Sequence, residues 1–390
     1  MQVDVIIEQR FYQCSQKKYW TDNAFPNVFW QRYLRVFSAV NVVARVSQVE
    51  QPQPEWQRVD GENLTFTNLP IYIGPWGFVK NIPNLIKALR TRKSAKRCVI
   101  YRVPGILALF YHWFAMPANK PYAAEVVGDP MDVFAKDAST SALRPVFKWI
   151  FVNMLTKQCQ NAASISYVTE YSLQERYPPN PKAFHTHYSS IQLSDSDYKK
   201  RDQYPLSKPY RIVCIGNLSQ PYKGCDFMLE TLAALKSQGL ELHLDWIGGG
   251  ALQPDMEQLA AKLELRDCVN FVGNLSQRAQ INEILDASDL FVLSSRQEGL
   301  PRVLIESMAR SLNCVATNVG GVKELLPQEH IVERDNVTQL QAAIAQMMQL
   351  DESQRLQIGL RNFDKAQQYH NDVLTERRSN MYQALLESDA

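Results

Sequence analysis

No apolar run in this 390-residue chain reaches the roughly 20 residues that a membrane span requires. The longest, Val103 to Met116, is broken by Pro104, Gly105 and His112 and reads as a buried or interfacial helix. The seven cysteines are odd in number and scattered, with no C-x-x-C pair, which argues against a disulfide framework and for reduced thiols in the cytoplasm. The six histidines show no metal-binding spacing; His185 and His187 alternate as on one face of a strand. There is no internal repeat or low-complexity tract. No secretion signal is evident either, because Met1 to Glu8 sets acids within an apolar alternation and reads as a first strand.

What is present suits a soluble enzyme of two domains: 45% hydrophobic residues, 21% charged, and length for two cores. The net charge of +2 conceals an asymmetry. Residues 1–205 hold 25 Lys and Arg against 16 Asp and Glu, a net +9; the remainder holds 17 against 24, a net −7. The excess gathers in Lys87, Arg90, Arg92, Lys93, Lys96 and Arg97, with no acid between them. That cluster predicts an anionic partner such as lipid headgroups at the inner face of a membrane, and no nucleic-acid motif accompanies it. Two aromatic stretches in the same half, Phe29 to Phe37 and Arg144 to Phe151, have helical periodicity and are expected to be core.

Strand and helix signals alternate, which predicts parallel sheets in α/β domains. Val3–Glu8, Val40–Val46, Cys98–Arg102, Tyr122–Val127 and Ser164–Val168 read as strands of a domain over residues 1–193. The polar run 194–209 reads as a linker. Arg211–Ile215, Leu242–Ile247, Val269–Val272, Leu290–Leu293 and Cys314–Thr317 read as strands of a second domain over 210–370, and 371–390 as a final helix.

The loops that follow the second set of strands carry the chemistry. Gly216 to Gly224 sets Lys223 in a glycine-bounded loop before a helix, which suits a diphosphate. After Leu290–Leu293 come Glu298, Gly299, Leu300 and Pro301, then Glu306 one turn into a helix. A strand-end carboxylate accepts hydrogen bonds from sugar hydroxyls, and a second grips another diol. An equally open reading has Glu306 in surface ion pairs with Arg302 and Arg310 at helical spacing. Ile247 to Gly250 fails the dinucleotide pattern at Gln253, and Asp195-Ser196-Asp197 reads as solvated acids, not a metal pair.

In this order, Gly216-Asn217-Leu218 through Lys223-Gly224, Ile247 to Gly250, Phe271-Val272-Gly273, Ser294 to Pro301, Glu306 to Ala309 and Asn318 to Glu324 resemble the family-4 retaining glycosyltransferases of the GT-B fold. The resemblance implies two Rossmann-like domains facing across a cleft, with a C-terminal helix crossing back to the first domain. It implies that the second domain holds a nucleotide-diphosphate sugar through Gly216, Asn217, Lys223, Val272, Asn274, Leu275, Glu298, Gly299, Leu300 and Glu306. Lys223 would meet the diphosphate, Glu306 the ribose and Glu298 the transferred hexose, with no cofactor and no divalent metal. Many relatives carry arginine where Asn217 stands, and Arg296 and Arg302 are candidates to replace that charge.

The first domain matches less fully. Asp129 stands where relatives often place a histidine near the sugar, and an ordinary turn acid before Pro130 is the alternative. With Tyr101 to Pro104 and Tyr167 to Glu170, this region resembles a branch used in bacterial surface-polysaccharide assembly, whose acceptor is a glycan or lipid-linked saccharide. Tyr19, Trp20, Thr21, Arg102 and Thr169 are its expected acceptor-side residues. The same architecture serves nucleotide-sugar epimerases, and a degenerate transferase that only binds a glycan or a partner is a further alternative.

Overall fold

In the computed structural model, which describes residues 1–22, 25–90, 97–133 and 144–389, the chain divides into two units. One comprises residues 1–188 with 375–390, the other 189–374. The N-terminal unit holds β1 (Gln2–Cys14), β2 (Tyr19–Thr21), β3 (Ala39–Val49), β4 (Gln57–Arg58), β5 (Leu64–Leu69), β6 (Arg97–Val103), β7 (Ala123–Val126), β8 (Ser164–Tyr167) and β9 (Phe184–His187). A parallel sheet runs β5-β3-β1-β6-β7-β8-β9, and β2 and β4 pair antiparallel at the far end of β1. Strand order reverses between β1 and β6, the place where parallel α/β sheets open a ligand crevice.

Register assigns the two faces of this sheet. Val43, Ile6, Tyr101, Ala124 and Ile165 stand in one row across five strands, and all belong to one apolar cluster. Helices Gly74–Arg90, Ile106–Phe114 and Arg144–Asn161 bury Leu85, Leu89, Leu107, Phe110, Leu155 and Cys159 in that cluster. The neighbouring row places Arg102, Glu125 and Ser166 on the opposite face. There Glu125 pairs with Arg102 and accepts from the hydroxyls of Tyr33, Tyr188 and Tyr382 at 2.9, 3.0 and 2.7 Å. Tyr382 belongs to the C-terminal helix Asn371–Ser388, so this buried carboxylate ties the end of the chain to the first unit.

The C-terminal unit holds β10 (Tyr210–Ile215), β11 (Leu242–Ile247), β12 (Val269–Gly273), β13 (Leu290–Leu293), β14 (Asn313–Thr317) and β15 (Ile331–Val332). All are parallel, in the order β12-β11-β10-β13-β14-β15, with the reversal between β10 and β13.

Two expectations are corrected here. The run 194–209 is not a free linker but packs onto the C-terminal unit. The Arg201 guanidinium donates to the carbonyls of Leu285, Ser288 and Arg310, and buried Tyr204 donates to the Asp289 carbonyl at 2.8 Å. Its polar residues thus satisfy carbonyls at the end of helix Arg278–Ala287 and beyond, which have no partner inside the helix. The second correction concerns the aromatic stretches. Phe29, Trp30, Tyr33 and Phe37 are core, as expected, but Val146, Trp149 and Ile150 are exposed because their helix turns Met154, Leu155 and Cys159 inward instead.

Candidate active site

The loops after β10 and β13 meet at the reversal point of the C-terminal sheet. Gly224 makes the meeting possible: its φ is +68°, and a Cβ there would lie 2.1 Å from the Ser294 carbonyl oxygen. Ser294 Oγ donates back to the Lys223 carbonyl at 3.1 Å, and the Arg296 amide donates to the Tyr222 carbonyl at 2.7 Å. Gly216 clears the path of the lysine, since a Cβ at that position would stand 3.1 Å from Lys223 Cβ and Cγ. The Lys223 stem therefore lies along the first loop, and its ammonium donates to Glu298 Oε1 at 2.7 Å. Ser295 Oγ donates to the same carboxylate oxygen at 2.8 Å.

A cation and a carboxylate expected to serve two parts of one ligand are thus in contact. Both side chains are largely shielded, 16% and 12% exposed, and Lys223 sits just ahead of helix Cys225–Ser237, whose first-turn amides favour an anion.

Arg296 is not available as the substitute cation. Its guanidinium grips Asp226 through Nη1 and Nη2 at 2.8 and 2.9 Å, and its Nε donates to Asp335 at 2.7 Å. It clamps the loops and neutralises an acid in the first turn of the helix after Lys223. Arg302 is exposed at the start of its own helix.

Glu306 does not pair along its helix as the spacing allowed. Arg278, from another helix, forms an ion pair with Glu306 Oε1 at 2.8 Å, while Arg310 pairs with Asp286. Asn217 accepts from the Ser219 amide at 2.7 Å and so shapes its own turn. Asn274 Oδ1 accepts from the Gly249 amide at 2.8 Å, joining the loop after β12, with Val272 and Leu275, to the glycines after β11. Gly320, after β14, closes against the carbonyls of Glu298 and Gly299. The expected donor residues therefore lie at one edge of one sheet, most of them on its loops, with Val272 in β12 and Glu306 in the helix Arg302–Met308.

The family model for glycosyl transferases group 1 matches residues 196–359. Over these residues the chain matches the group 1 glycosyl transferases. The chain is similar to the protein CapJ of Staphylococcus aureus, 26% identical over 320 residues, 81% of this chain and 79% of that one. It is also similar to the amylovoran biosynthesis glycosyltransferase AmsK of Erwinia amylovora, 34% identical over 148 residues, 36% and 35% of the two chains. Among solved structures, Anabaena HepE in complex with UDP-glucose superposes with a TM-score of 0.64 over 98% of this chain and 100% of that one, at 13% identity. The fold is GT-B, with one Rossmann-like sheet in each unit.

Outside residues 196–359, Asp129, expected near the sugar, and the expected acceptor-side residues make contacts within their own unit. Asp129 Oδ1 accepts from the Tyr177 hydroxyl at 2.6 Å and from the Met131 amide at 2.8 Å, and Arg176 pairs with its other oxygen. Arg102 is held by Glu125, and buried Thr169 accepts from the Leu173 amide at 3.1 Å. Tyr19, Trp20 and Thr21 form no loop but the strand β2, with the Tyr19 ring stacked 3.9 Å from Phe66.

The reversal point of this unit instead presents Glu8, Arg45 and Tyr72, which the sequence did not single out. Glu8 Oε1 accepts from the Leu107 amide at the start of its helix at 2.7 Å, Tyr72 donates to Oε2 at 3.3 Å, and Arg45 lies 3.6 Å away. The available signal was an acid closing an apolar strand run.

Proposed function

We propose that this protein is a retaining glycosyltransferase that moves a hexose-type sugar from a nucleotide-diphosphate sugar to a glycan or lipid-linked saccharide, in the assembly of a bacterial surface polysaccharide. The observation that carries this reading is the 2.7 Å contact of Lys223 with Glu298 at the reversal point of the C-terminal sheet. The names of AmsK and HepE's ligand support the acceptor and donor classes respectively.

Breaking the anomeric C–O bond builds positive charge on the sugar and negative charge on the departing diphosphate. On this reading Lys223 and the amides of the following helix stabilise the diphosphate and lower the barrier, with no metal ion invoked. Glu298 accepts hydrogen bonds from the hexose hydroxyls and Glu306 from the ribose diol, each exchanging its present cationic partner for the ligand. The acceptor oxygen attacks the face that the diphosphate vacates, its bond to the anomeric carbon forms, and its proton passes to a phosphate oxygen. The anomeric configuration is retained.

Incubation with a panel of nucleotide sugars, with and without a lipid-linked saccharide, tests this by nucleotide release. Acceptor-dependent release from one donor is the expected result. Saturable donor binding without release supports the binding-only reading, which Asn217 in place of a cation favours.

A further inference from the structure

Three helices of the N-terminal unit turn large apolar side chains to water. Gly74–Arg90, Ile106–Phe114 and Arg144–Asn161 pack their inner sides into the same cluster on the same face of the sheet. Their outer sides therefore point the same way. These carry Trp76, Trp113 and Trp149, which are 78%, 61% and 69% exposed, together with exposed Val79, Val146 and Ile150. The first two helices touch through Phe78 and Phe110, whose ring centroids are 5.3 Å apart, and Phe110 lies 6.2 Å from Trp113. Several large apolar side chains turned to water over the same face of a sheet mark an interaction surface.

The charge on these helices decides the partner. None of the three contains an Asp or Glu, while they hold Lys80, Lys87, Arg90, Arg144, Lys148 and Lys157. The cores of protein interfaces are depleted in lysine, whereas tryptophan mixed with lysine and arginine suits the boundary between lipid headgroups and acyl chains. Long basic side chains reach outward to phosphate while the indoles enter the boundary. No described helix is long and apolar enough to cross a membrane.

Part of the predicted basic cluster falls among the described residues. Lys87 and Arg90 are exposed, Arg97 pairs with Asp4 at 3.0 Å, and Arg92, Lys93 and Lys96 lie outside the described residues.

We propose that this three-helix face docks the protein on an anionic lipid bilayer, with Trp76, Trp113 and Trp149 inserted at the interface and the surrounding lysines and arginines on the headgroups. The docking needs neither donor nor turnover, so it stands or falls separately from the transferase reading.

The test is co-sedimentation of the full chain with phosphatidylcholine vesicles, with and without phosphatidylglycerol. The unaltered protein should bind the anionic vesicles, less so at high salt, and its tryptophan emission should be quenched by brominated acyl chains. Trp76→Ser/Trp113→Ser/Trp149→Ser and Lys80→Glu/Lys87→Glu/Lys148→Glu should each lower partitioning at least about tenfold. Circular dichroism checks that the variants fold; if a triple variant does not, each single tryptophan substitution should remove part of the brominated-lipid quenching. Failure of the unaltered protein to bind, or binding undiminished by these substitutions, overturns the proposal. So does a tryptophan-dependent self-association without vesicle binding, which would make the face a contact between copies.

Discussion

Lys223 and Glu298 hold one another across 2.7 Å, although each is proposed to meet a different part of a nucleotide sugar. The pair keeps two shielded opposite charges satisfied, and on the proposed reading a ligand would offer a phosphate to one and a hydroxyl to the other. Removing either partner leaves the other uncompensated, so the two single variants should differ in what they lose.

Lys223→Ala should lower turnover at least about tenfold, the loss of roughly 1.4 kcal/mol of transition-state stabilisation. Steady-state kinetics on the released nucleotide measures it. Near-normal turnover would remove Lys223 from the diphosphate. Asn217→Arg in the Lys223→Ala background should recover part of the loss, since it returns a cation to the first loop.

The two glutamates separate by ligand. Glu298→Ala should damage sugar transfer and leave the affinity for the bare nucleotide largely intact, whereas Glu306→Ala should weaken the bare nucleotide. Calorimetric titration with the nucleotide alone distinguishes them. Equal losses in both variants would mean that the hexose and ribose roles are not divided in this way.

Arg296 acts through position and should not change the chemistry directly. Its two-pronged grip on Asp226 and its bond to Asp335 hold the loops after β10 and β13 together. Arg296→Lys cannot reproduce that geometry. It should raise KM with a stability loss of only about 1 kcal/mol, because both acids are partly exposed. A fall in kcat with KM unchanged would point to direct contact with the reacting groups.

Acid should loosen the N-terminal unit through Glu125. Burial by itself would raise this carboxyl, but the Arg102 charge and the hydroxyls of Tyr382 and Tyr33 outweigh burial and hold it below its ordinary value. A group with a lowered folded pKa contributes its stability above the unfolded pKa and loses it as pH falls through the folded one. Glu125→Gln should therefore cost about 3 to 5 kcal/mol near neutrality, since Arg102 stays buried and charged. It should also flatten the acid limb of stability in urea unfolding. A variant as acid-sensitive as the parent would place the sensitivity elsewhere.

The C-terminal sheet was legible because its strands are short apolar runs ending at glycine-rich loops; all five expected strands are present to within a residue at each end. β15, two residues long, gave no period to read. In the N-terminal unit β4 is Gln57–Arg58, both exposed, and β5 alternates threonine and asparagine with its apolar positions, so neither carried enough hydrophobic contrast. The strand-end loops were legible as a set, but the pairing of their side chains was not. Helical spacing offered Arg302 and Arg310 to Glu306, while the actual partner, Arg278, comes from a helix that only the fold brings near. Likewise, periodicity marked Arg144 to Phe151 as helical but could not tell which side would face the sheet, and so hid Trp149.

One ligand is proposed to span the loops after β10 and β13. A crystal structure of the protein with an intact or fluorinated nucleotide sugar tests it most directly. The Lys223 ammonium should leave Glu298 and lie within hydrogen-bonding distance of the diphosphate, with Glu298 on hexose hydroxyls and Glu306 on the ribose. A bound nucleotide sugar that leaves the Lys223–Glu298 contact intact, or that sits away from these loops, would contradict the account.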